Sequence, residues 1–461
     1  MISCSRDDTI TAIATPQGEG GIGIVRISGR ESLVLASRIF VPSGPPGFRK
    51  YSIHYGYVRD PGHGGMIDEV LLMVMKAPHS YTREDVVEIQ CHGGMAPLSR
   101  ILEVLLSLGA RMAMPGEFTR RAFLNGRIDM IQAEAVLDMI RARSDKAMEL
   151  AFSQLSGKVS RELSLFRQRL IEVLALVEGP MDFPDEAIPS LSRGELTKRL
   201  GALHDEAVAM VELSKAGKIY RDGVRVAILG KPNVGKSSLF NVLLGEMRAI
   251  VTEFPGTTRD SLEESCLVSG IPLVLSDTAG IRRTDNFIER KGVEKSEEAL
   301  EKADFVLLVV DSSCEADRED REIYEMVRNR GTEYLVVLSK SDLPRRVSRE
   351  QIRAMEGQCP AVVVSAQSGE GMEELKKCLH GRIACHAPLE GCVMAGIRQR
   401  ESLLKITKAL DEALRTQEGG FPHDLLAIDL SRALHFLGEL LGEHFDEEVL
   451  DMLFSQFCVG K

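Results

Sequence analysis

Eight residues, Gly230-Lys231-Pro232-Asn233-Val234-Gly235-Lys236-Ser237, limit what this chain can become more than any other stretch. They follow an apolar run, Val224 to Leu229, and open into Ser238-Leu239-Phe240-Asn241-Val242-Leu243-Leu244. The spacing G-x-x-x-x-G-K-[ST] between a strand and a helix is that of a phosphate cradle. Phosphate oxygens must be ringed by backbone N–H groups, so side chains are kept away at the glycines, and the helix N-terminus faces the anion. Lys236 would neutralise phosphate charge, and Ser237 would hold Mg²⁺ through its hydroxyl. Taken alone, the stretch also suits a glycine-containing turn before a helix.

The surroundings favour the cradle. Over 221–384 the apolar runs Val224–Leu229, Leu273–Ser276, Phe305–Val310, Tyr334–Leu338 and Ala361–Val364 alternate with helical patterns. Continuous apolar strands predict a parallel sheet covered on both faces. The expected domain is a doubly wound α/β fold with its ligand at the carboxyl ends of the strands. Four further boxes follow in the order that a GTP-hydrolysing site needs. Gly256-Thr257-Thr258-Arg259-Asp260 is a switch segment in which Thr258 would complete the Mg²⁺ shell. Asp277-Thr278-Ala279-Gly280 would reach the metal through water and sense the γ-phosphate. Ser339-Lys340-Ser341-Asp342 supplies a carboxylate for the N1/N2 edge of guanine, which adenine would leave unpaired. Ser365-Ala366 closes the final strand. Ile281 stands where many such enzymes orient water with glutamine, and an isoleucine cannot do so. Asp285, Glu289 and Glu294 are the nearby carboxylates, and spacing does not choose among them.

The flanks differ in kind. Residues 1–120 read as α+β, with a strand at Thr9–Thr15, a glycine turn and then a second strand within Gly20–Ile27, strands at Glu69–Met75 and Asp85–Gln90, a loop over Pro42–Gly47, a turn at Cys91-His92-Gly93-Gly94 and an amphipathic helix over Pro97–Leu108. This part has no catalytic signature and reads as a binding or dimerisation domain. Residues 121–220 and 385–461 are helical. Leu163, Phe166, Leu170, Val173, Leu174 and Val177 form one stripe, and Leu425-Leu426, Leu430, Ala433-Leu434, Leu437 and Leu440-Leu441 form another. Gly179-Pro180 should end or kink its helix. The acidic stretch Met181 to Glu186 reads as a solvated turn or cap in preference to a metal site. Helices on both sides of the α/β part predict a discontinuous helical bundle with the GTPase domain inserted at 221–384.

Composition narrows the partners. The 461 residues suit about three domains. Lys+Arg total 57 against 68 Asp+Glu, a net charge of −11. Any nucleic-acid contact must therefore use a local basic patch. The nine cysteines are scattered without a C-x-x-C pair, which fits a reducing, cytoplasmic setting. No run of 18 apolar residues occurs, so no membrane span is expected.

The box set resembles the TrmE-Era branch of GTPases, with Ser339 in place of the usual asparagine of N-K-x-D. On sequence, the amide that ties the base loop to the phosphate loop is lost. The remaining chain is similar to the tRNA-modification GTPases of the MnmE (TrmE) family. The resemblance lies in Gly20 to Gly29, Glu84 to Gln90 with His92-Gly93-Gly94, Pro115 to Arg127, Asp182 to Glu186, and Phe457-Cys458-Val459-Gly460-Lys461. It runs end to end, with Gly179-Pro180 and a loose match over 437–446 as departures.

The resemblance implies a nucleotide site built from Asn233, Val234, Gly235, Lys236, Ser237 and Ser238, and from Thr252, Glu253, Phe254, Pro255, Gly256, Thr257 and Thr258. Asp277, Thr278, Ala279 and Gly280, then Ser339, Lys340 and Asp342, then Ser365 and Ala366 complete it. It implies a K⁺ site at Asn233, Thr252, Phe254 and Thr257, hydrolysis coupled to dimerisation of two GTPase domains, and Glu289 as the water-polarising group. It further implies a 5-formyltetrahydrofolate-type ligand held by Arg26, Glu88, Arg127 and Lys461, since Arg and Lys suit its carboxylates and a carboxylate its pterin edge, while the sequence does not say which contact each residue makes. Cys458 is tied to the modification reaction, although a small apolar role suits it as well. The implied function is a homodimer that, with the flavoprotein MnmG (GidA), adds a carboxymethylaminomethyl group to C5 of the tRNA wobble uridine. The alternatives are an Era-like ribosome-assembly switch, for which neither end offers an RNA-binding KH module, and a folate-dependent one-carbon transferase with a regulatory GTPase domain.

Overall fold

Alternation from Gly23 to Ile27, with Val25 and Ile27 turned one way and Arg26 the other, fixes the faces of the first sheet. The computed structural model describes residues 8–16, 18–44, 51–182, 192–247, 263–277, 299–356, 360–384, 396–444 and 447–461. They fall into two compact units, one of residues 1–137, 155–164 and 435–461, the other of 138–154 and 165–434.

The first unit opens with β1 (Ile10–Ile13), β2 (Gly20–Ser28), α1 (Ser32–Ile39), β3 (Phe40–Pro42), β4 (Ser52–Arg59), β5 (Met66–Met75), β6 (Val86–Gly93), α2 (Met95–Ser107) and β7 (Arg111–Met112). Its seven-stranded sheet has the order β3-β4-β5-β6-β2-β1-β7. Only the β1–β7 pairing is parallel. Leu98, Ile101 and Leu105 recur at helical spacing and bury one face of α2 against Val25, Ile27, Leu72 and Ile89. Each such side chain contributes about 1.5–3 kcal/mol by leaving water. The opposite sheet face carries Arg26 and Glu88, paired across β2 and β6. At its β1 end, Ile10 and Ala12 are covered by Phe118 of α3 (Glu117–Leu124). Toward β4 and β5 the same face exposes Ile53, Tyr55 and Leu71.

Several expectations are corrected here. Cys91-His92-Gly93 is not a turn but the end of β6, because β2 supplies pairing partners as far as Gly20 opposite Gly93. His92 on that strand bonds Asp68 through Nδ1 at 2.7 Å. Pro42 is not in a loop but ends β3, an edge strand, where a missing N–H is tolerated. β3, β4 and α1 were not expected at all.

Helices follow: α4 (Met130–Arg141), α5 (Asp145–Leu155), α6 (Lys158–Asp182) and α7 (Arg193–Asp222). Leu163, Phe166, Leu170, Val173 and Val177 are all buried on α6. The helix continues past Gly179-Pro180 as far as Asp182, the last described residue of this stretch. Residues 183–186 of the acidic stretch lie outside the described residues.

The second unit carries the doubly wound domain. Its strands are β8 (Val224–Leu229), β9 (Glu263–Val268), β10 (Ile271–Asp277), β11 (Phe305–Asp311), β12 (Glu333–Ser339) and β13 (Val362–Val363). The order is β13-β12-β11-β8-β10-β9. Every expected strand is present, and β9 adds an antiparallel edge that the sequence reading lacked. One face is covered by Leu239, Phe240 and Leu243 of α8 (Lys236–Met247) together with Ala216 and Tyr220 of α7. The other is covered through Val327 of α9 (Arg318–Arg330) and Ile352 of α10 (Arg349–Met355). α11 (Met372–Ala384) joins the α8 side through Leu375 and Leu379. α12 (Ile397–Gly419) packs on α7. The chain ends in α13 (His423–Leu441) and α14 (Glu447–Ser455). On α13, Leu426, Leu430, Ala433, Leu437 and Leu440 are buried, but Leu425 is exposed. Leu425 sits 100° around the helix from Leu426, off the buried stripe.

Candidate functional site

The phosphate loop leaves β8 where the strand order reverses, with β10 on one side and β11 on the other. That crevice is where open α/β sheets bind ligands. Gly230 adopts φ +150°, and a Cβ there would lie 2.3 Å from the Val309 carbonyl oxygen. No other residue could turn out of the sheet so close to β11. Asn233 takes a left-handed φ of +61°, so that the loop curls before α8 begins at Lys236. The Lys236 ammonium is turned into the curl and donates to the carbonyl oxygens of Gly230 and Lys231, both at 2.6 Å. Its side chain is buried, while Ser237 is half-buried in the first helical turn. A cation inside a ring of backbone groups, with a hydroxyl at the helix start, is a chemically sound receptor for phosphate and Mg²⁺.

The guanine loop stands at the same sheet end. Ser365 is fully buried and donates from Oγ to Asp342 Oδ1 at 2.7 Å. Asp342 is itself exposed, so a fixed carboxylate faces outward. Lys340 donates to Asp311 Oδ2 at 2.6 Å. Ser339 corrects the expectation made for it. The amide is indeed missing, but the tie is not, because the Ser339 hydroxyl donates to the Val234 carbonyl oxygen at 2.5 Å. Two segments named from sequence, 252–258 and 278–280, lie outside the described residues, as do Glu253, Thr257 and Glu289 within or beyond them. β10 ends at Asp277, alongside β8. The structure therefore joins 230–238, 339–342 and 365–366. The K⁺ set is represented among the described residues by Asn233 alone.

A second constellation lies on the open face of the first sheet. Arg26 Nε donates to Glu88 Oε1 at 2.8 Å, and its Nη1 to the Gly460 carbonyl oxygen at 3.1 Å. The Arg26 guanidinium stands 5.5 Å from the Phe118 ring centre and 5.6 Å from that of Tyr81. Arg127 covers Tyr81 at 4.7 Å. Burial, reinforced by the Arg26 guanidinium, holds the Lys461 ammonium below the ordinary lysine value. The tail that delivers Lys461 is sewn to α3. Gly116 N–H donates to the Cys458 carbonyl oxygen and Phe118 N–H to that of Lys461. At Gly460, with φ +99°, a Cβ would meet the Ile13 carbonyl oxygen at 2.3 Å. Cys458 is exposed.

Residues 26, 88, 127 and 461 thus meet around two aromatic rings. Tyr81 and Phe118 had not been singled out. Phe118 lies within the family-like stretch 115–127, but Tyr81 has no sequence signal. Donors, one carboxylate and the flat face of Tyr81, with the fully buried Phe118 behind Arg26, suit a ligand with a fused heteroaromatic ring and acidic tail. α3 is held in place by ion pairs. Glu117 accepts from Arg111 at 2.5 Å and from Arg121 at 3.0 Å, and Arg121 reaches Asp8 and Glu84. Tyr81 Oη lies 2.9 Å from Thr119 Oγ1.

The doubly wound α/β sheet, the phosphate loop and the guanine loop define a GTPase of the phosphate-loop class that carries additional domains. A family model described as the MnmE helical domain matches residues 130–458, and one described as the GTP-binding protein TrmE N-terminus matches residues 9–127. The chain is 42% identical over 462 residues to the tRNA modification GTPase MnmE of Bacillus subtilis, covering 98% of this chain and 100% of that protein. It is 43% identical to that of Thermoanaerobacter pseudethanolicus, covering 98% and 99%. It is 41% identical to that of Oceanobacillus iheyensis over the same shares. The chain belongs to the MnmE family of tRNA modification GTPases, and it is a GTP hydrolase acting in tRNA modification.

Proposed function

We propose that this GTPase, with Mg²⁺ and K⁺, works together with an MnmG-type flavoprotein to add a carboxymethylaminomethyl group to C5 of the tRNA wobble uridine, drawing on a one-carbon folate. The observation that carries the reading is the convergence of Arg26, Glu88, Arg127 and Lys461 on Tyr81 and Phe118. A GTPase alone has no use for such a receptor. Asp342 takes the guanine edge, Lys236 the phosphates, Ser237 and Thr258 the Mg²⁺. Asn233 with Thr252, Phe254 and Thr257 holds K⁺, and Glu289 polarises the attacking water. Cys458 belongs to the modification step. The helical segments 121–220 and 385–461 make one domain interrupted by the GTPase domain at 221–384.

The protein acts as a homodimer through its N-terminal domain. Ile53 is 63% and Tyr55 49% exposed on the uncovered sheet face, with Leu71 beside them at 42%. A contiguous apolar sheet face of this kind favours a partner surface over water. Among the described residues no helix is long and apolar enough to cross a membrane, and the place of action is the cytoplasm, where tRNA is found.

Loss of the gene should remove the modified wobble nucleoside from digested tRNA, read by mass spectrometry. An unchanged nucleoside profile would refute the reading. For the cation, turnover in K⁺ should exceed turnover in Na⁺ at equal ionic strength by about tenfold or more, as expected when a charge that stabilises the transition state is lost. Glu289→Gln should slow that turnover without weakening nucleotide binding. Equal rates in the two salts would remove the cation site.

A further inference from the structure

Asp311 and Ser339 stand opposite each other at the carboxyl ends of the parallel strands β11 and β12. The Ser339 side chain is 5% exposed. Its oxygen lies 2.5 Å from the Val234 carbonyl oxygen and 3.2 Å from that of Val310. A hydroxyl has one proton to give, and the short contact directs it to Val234, inside the phosphate loop. Nothing intervenes between the two loops here, since a Cβ on Gly235 would sit 3.7 Å from the Ser339 Cβ.

A second fastening lies one residue on. Lys340 has φ +57°, a left-handed conformation that is unfavourable for a non-glycine residue because Cβ crowds the backbone. Its surroundings hold it there. Asp311 Oδ2 takes the Lys340 ammonium at 2.6 Å, while Asp311 Oδ1 accepts from Ser313 N–H at 2.9 Å and Ser313 Oγ at 2.6 Å. Both carboxylate oxygens are thereby engaged and the side chain cannot swing. The Ser312 hydroxyl donates to the Lys340 carbonyl oxygen at 3.3 Å, and Ser341 N–H donates to that of Val364 at 3.2 Å. The left-handed turn at Lys340 is what carries the chain from β12 to Asp342.

We propose that Asp311 and Ser339 form a latch that presets the guanine loop. Ser339 fixes the spacing between the base site and the phosphate site, and Asp311 holds Lys340 and so the turn that aims Asp342. Both are positioning residues, acting through Val234, Lys340 and Asp342. The latch rests on the assignment of the base edge to Asp342. It explains how this chain keeps a guanine loop without the amide of N-K-x-D.

The test is nucleotide discrimination by the full-length protein. Inosine diphosphate lacks the 2-amino group of GDP, so the ratio of the two affinities reports how well the carboxylate meets both N–H groups at once. Ser339→Ala and Asp311→Ala should each weaken GDP binding by about three- to tenfold, the loss of one hydrogen bond. Each should also shrink the GDP-to-IDP ratio and raise KM for GTP more than it lowers kcat. Ser339→Thr, which keeps the hydroxyl, should restore the ratio and guards against a folding defect in the alanine variant. A ratio that stays at the wild-type value in both alanine variants overturns the latch, even if overall affinity falls. Asp342→Ala separates the two levels. If it abolishes the preference while the latch variants keep it, only the latch is wrong. If it too leaves the preference intact, the base-edge assignment fails and the latch with it.

Discussion

Asp342→Asn is expected to weaken GDP and GTP binding by about a hundredfold or more and to transfer preference to xanthosine nucleotides. The carboxylate accepts two charge-assisted hydrogen bonds from guanine, each contributing about 1.5–3 kcal/mol. A carboxamide turns one acceptor into a donor facing the base's own N–H. Ser365 makes the direction of this change definite. Its buried hydroxyl already donates to Oδ1 at 2.7 Å, so the asparagine will keep its oxygen there and present its NH₂ outward. Guanine then meets donor against donor, whereas the C2 carbonyl of xanthine accepts the new donor. Competition between GDP and XDP for the purified variant checks the result. Undiminished GDP binding would remove Asp342 from the base site.

The largest stability effect is expected at Arg121. Its side chain is 5% exposed and meets three carboxylates, those of Glu117, Asp8 and Glu84. Arg121→Ala leaves Glu117, 1% exposed, with Arg111 as its remaining guanidinium partner. Taking one guanidinium out of a buried ion-pair network costs up to about 3–5 kcal/mol, the upper end applying where the charge left behind has no other partner. Denaturant unfolding should show the loss, and Arg121→Lys should recover part of it by keeping the charge without the planar fork. A variant within about 1 kcal/mol of wild type would mean that the network is dispensable.

The same network sets an acid limb. Burial by itself would raise the Glu117 carboxyl, but Arg111, the Met114 N–H and Arg121 outweigh it and hold it below the usual value. Asp8 is likewise lowered, with Arg111 and Arg121 overcoming its burial. Folded values below unfolded ones mean that the stabilisation is complete above about pH 4.5, the ordinary carboxylate range. It is lost as pH falls through the lowered folded values. Without the Arg121 charge the two groups are depressed less, so the acid limb of stability should flatten in Arg121→Ala.

These two sites differ in how far they were legible. Asp342 is visible in sequence because a base-binding carboxylate is placed by four consecutive residues after an apolar strand. The phosphate loop is visible for the same reason: glycine spacing, a lysine and a hydroxyl define its chemistry within eight residues. Strands β8, β11 and β12 announce themselves as largely apolar runs, interrupted in β8 only by Arg225, since both faces of that sheet are buried. β4 does not, because one of its faces carries tyrosines and isoleucine that stay exposed in this chain. Cys91-His92-Gly93 looks like a turn by composition and is a strand by virtue of the partner that β2 provides.

What the sequence by itself determined is the class of chemistry, because short-range spacing of glycine, lysine, hydroxyl and carboxylate is enough to dictate a phosphate and guanine receptor. Only the tertiary structure decided which distant groups cooperate. Arg26 and Gly460 are 434 positions apart and hydrogen-bonded, and Tyr81 joins the site only because the fold lays it against Arg26 and Arg127 and bonds it to Thr119. Ser339 carries the same lesson at one residue. Its side chain lacks the amide that the motif calls for, yet the packing of β12 against the phosphate loop puts its hydroxyl oxygen 2.5 Å from the Val234 carbonyl oxygen, to which it donates its single proton. A hydrogen bond depends on where two atoms end up, and that is fixed by strand pairing and core packing, which residue identity at one position does not encode.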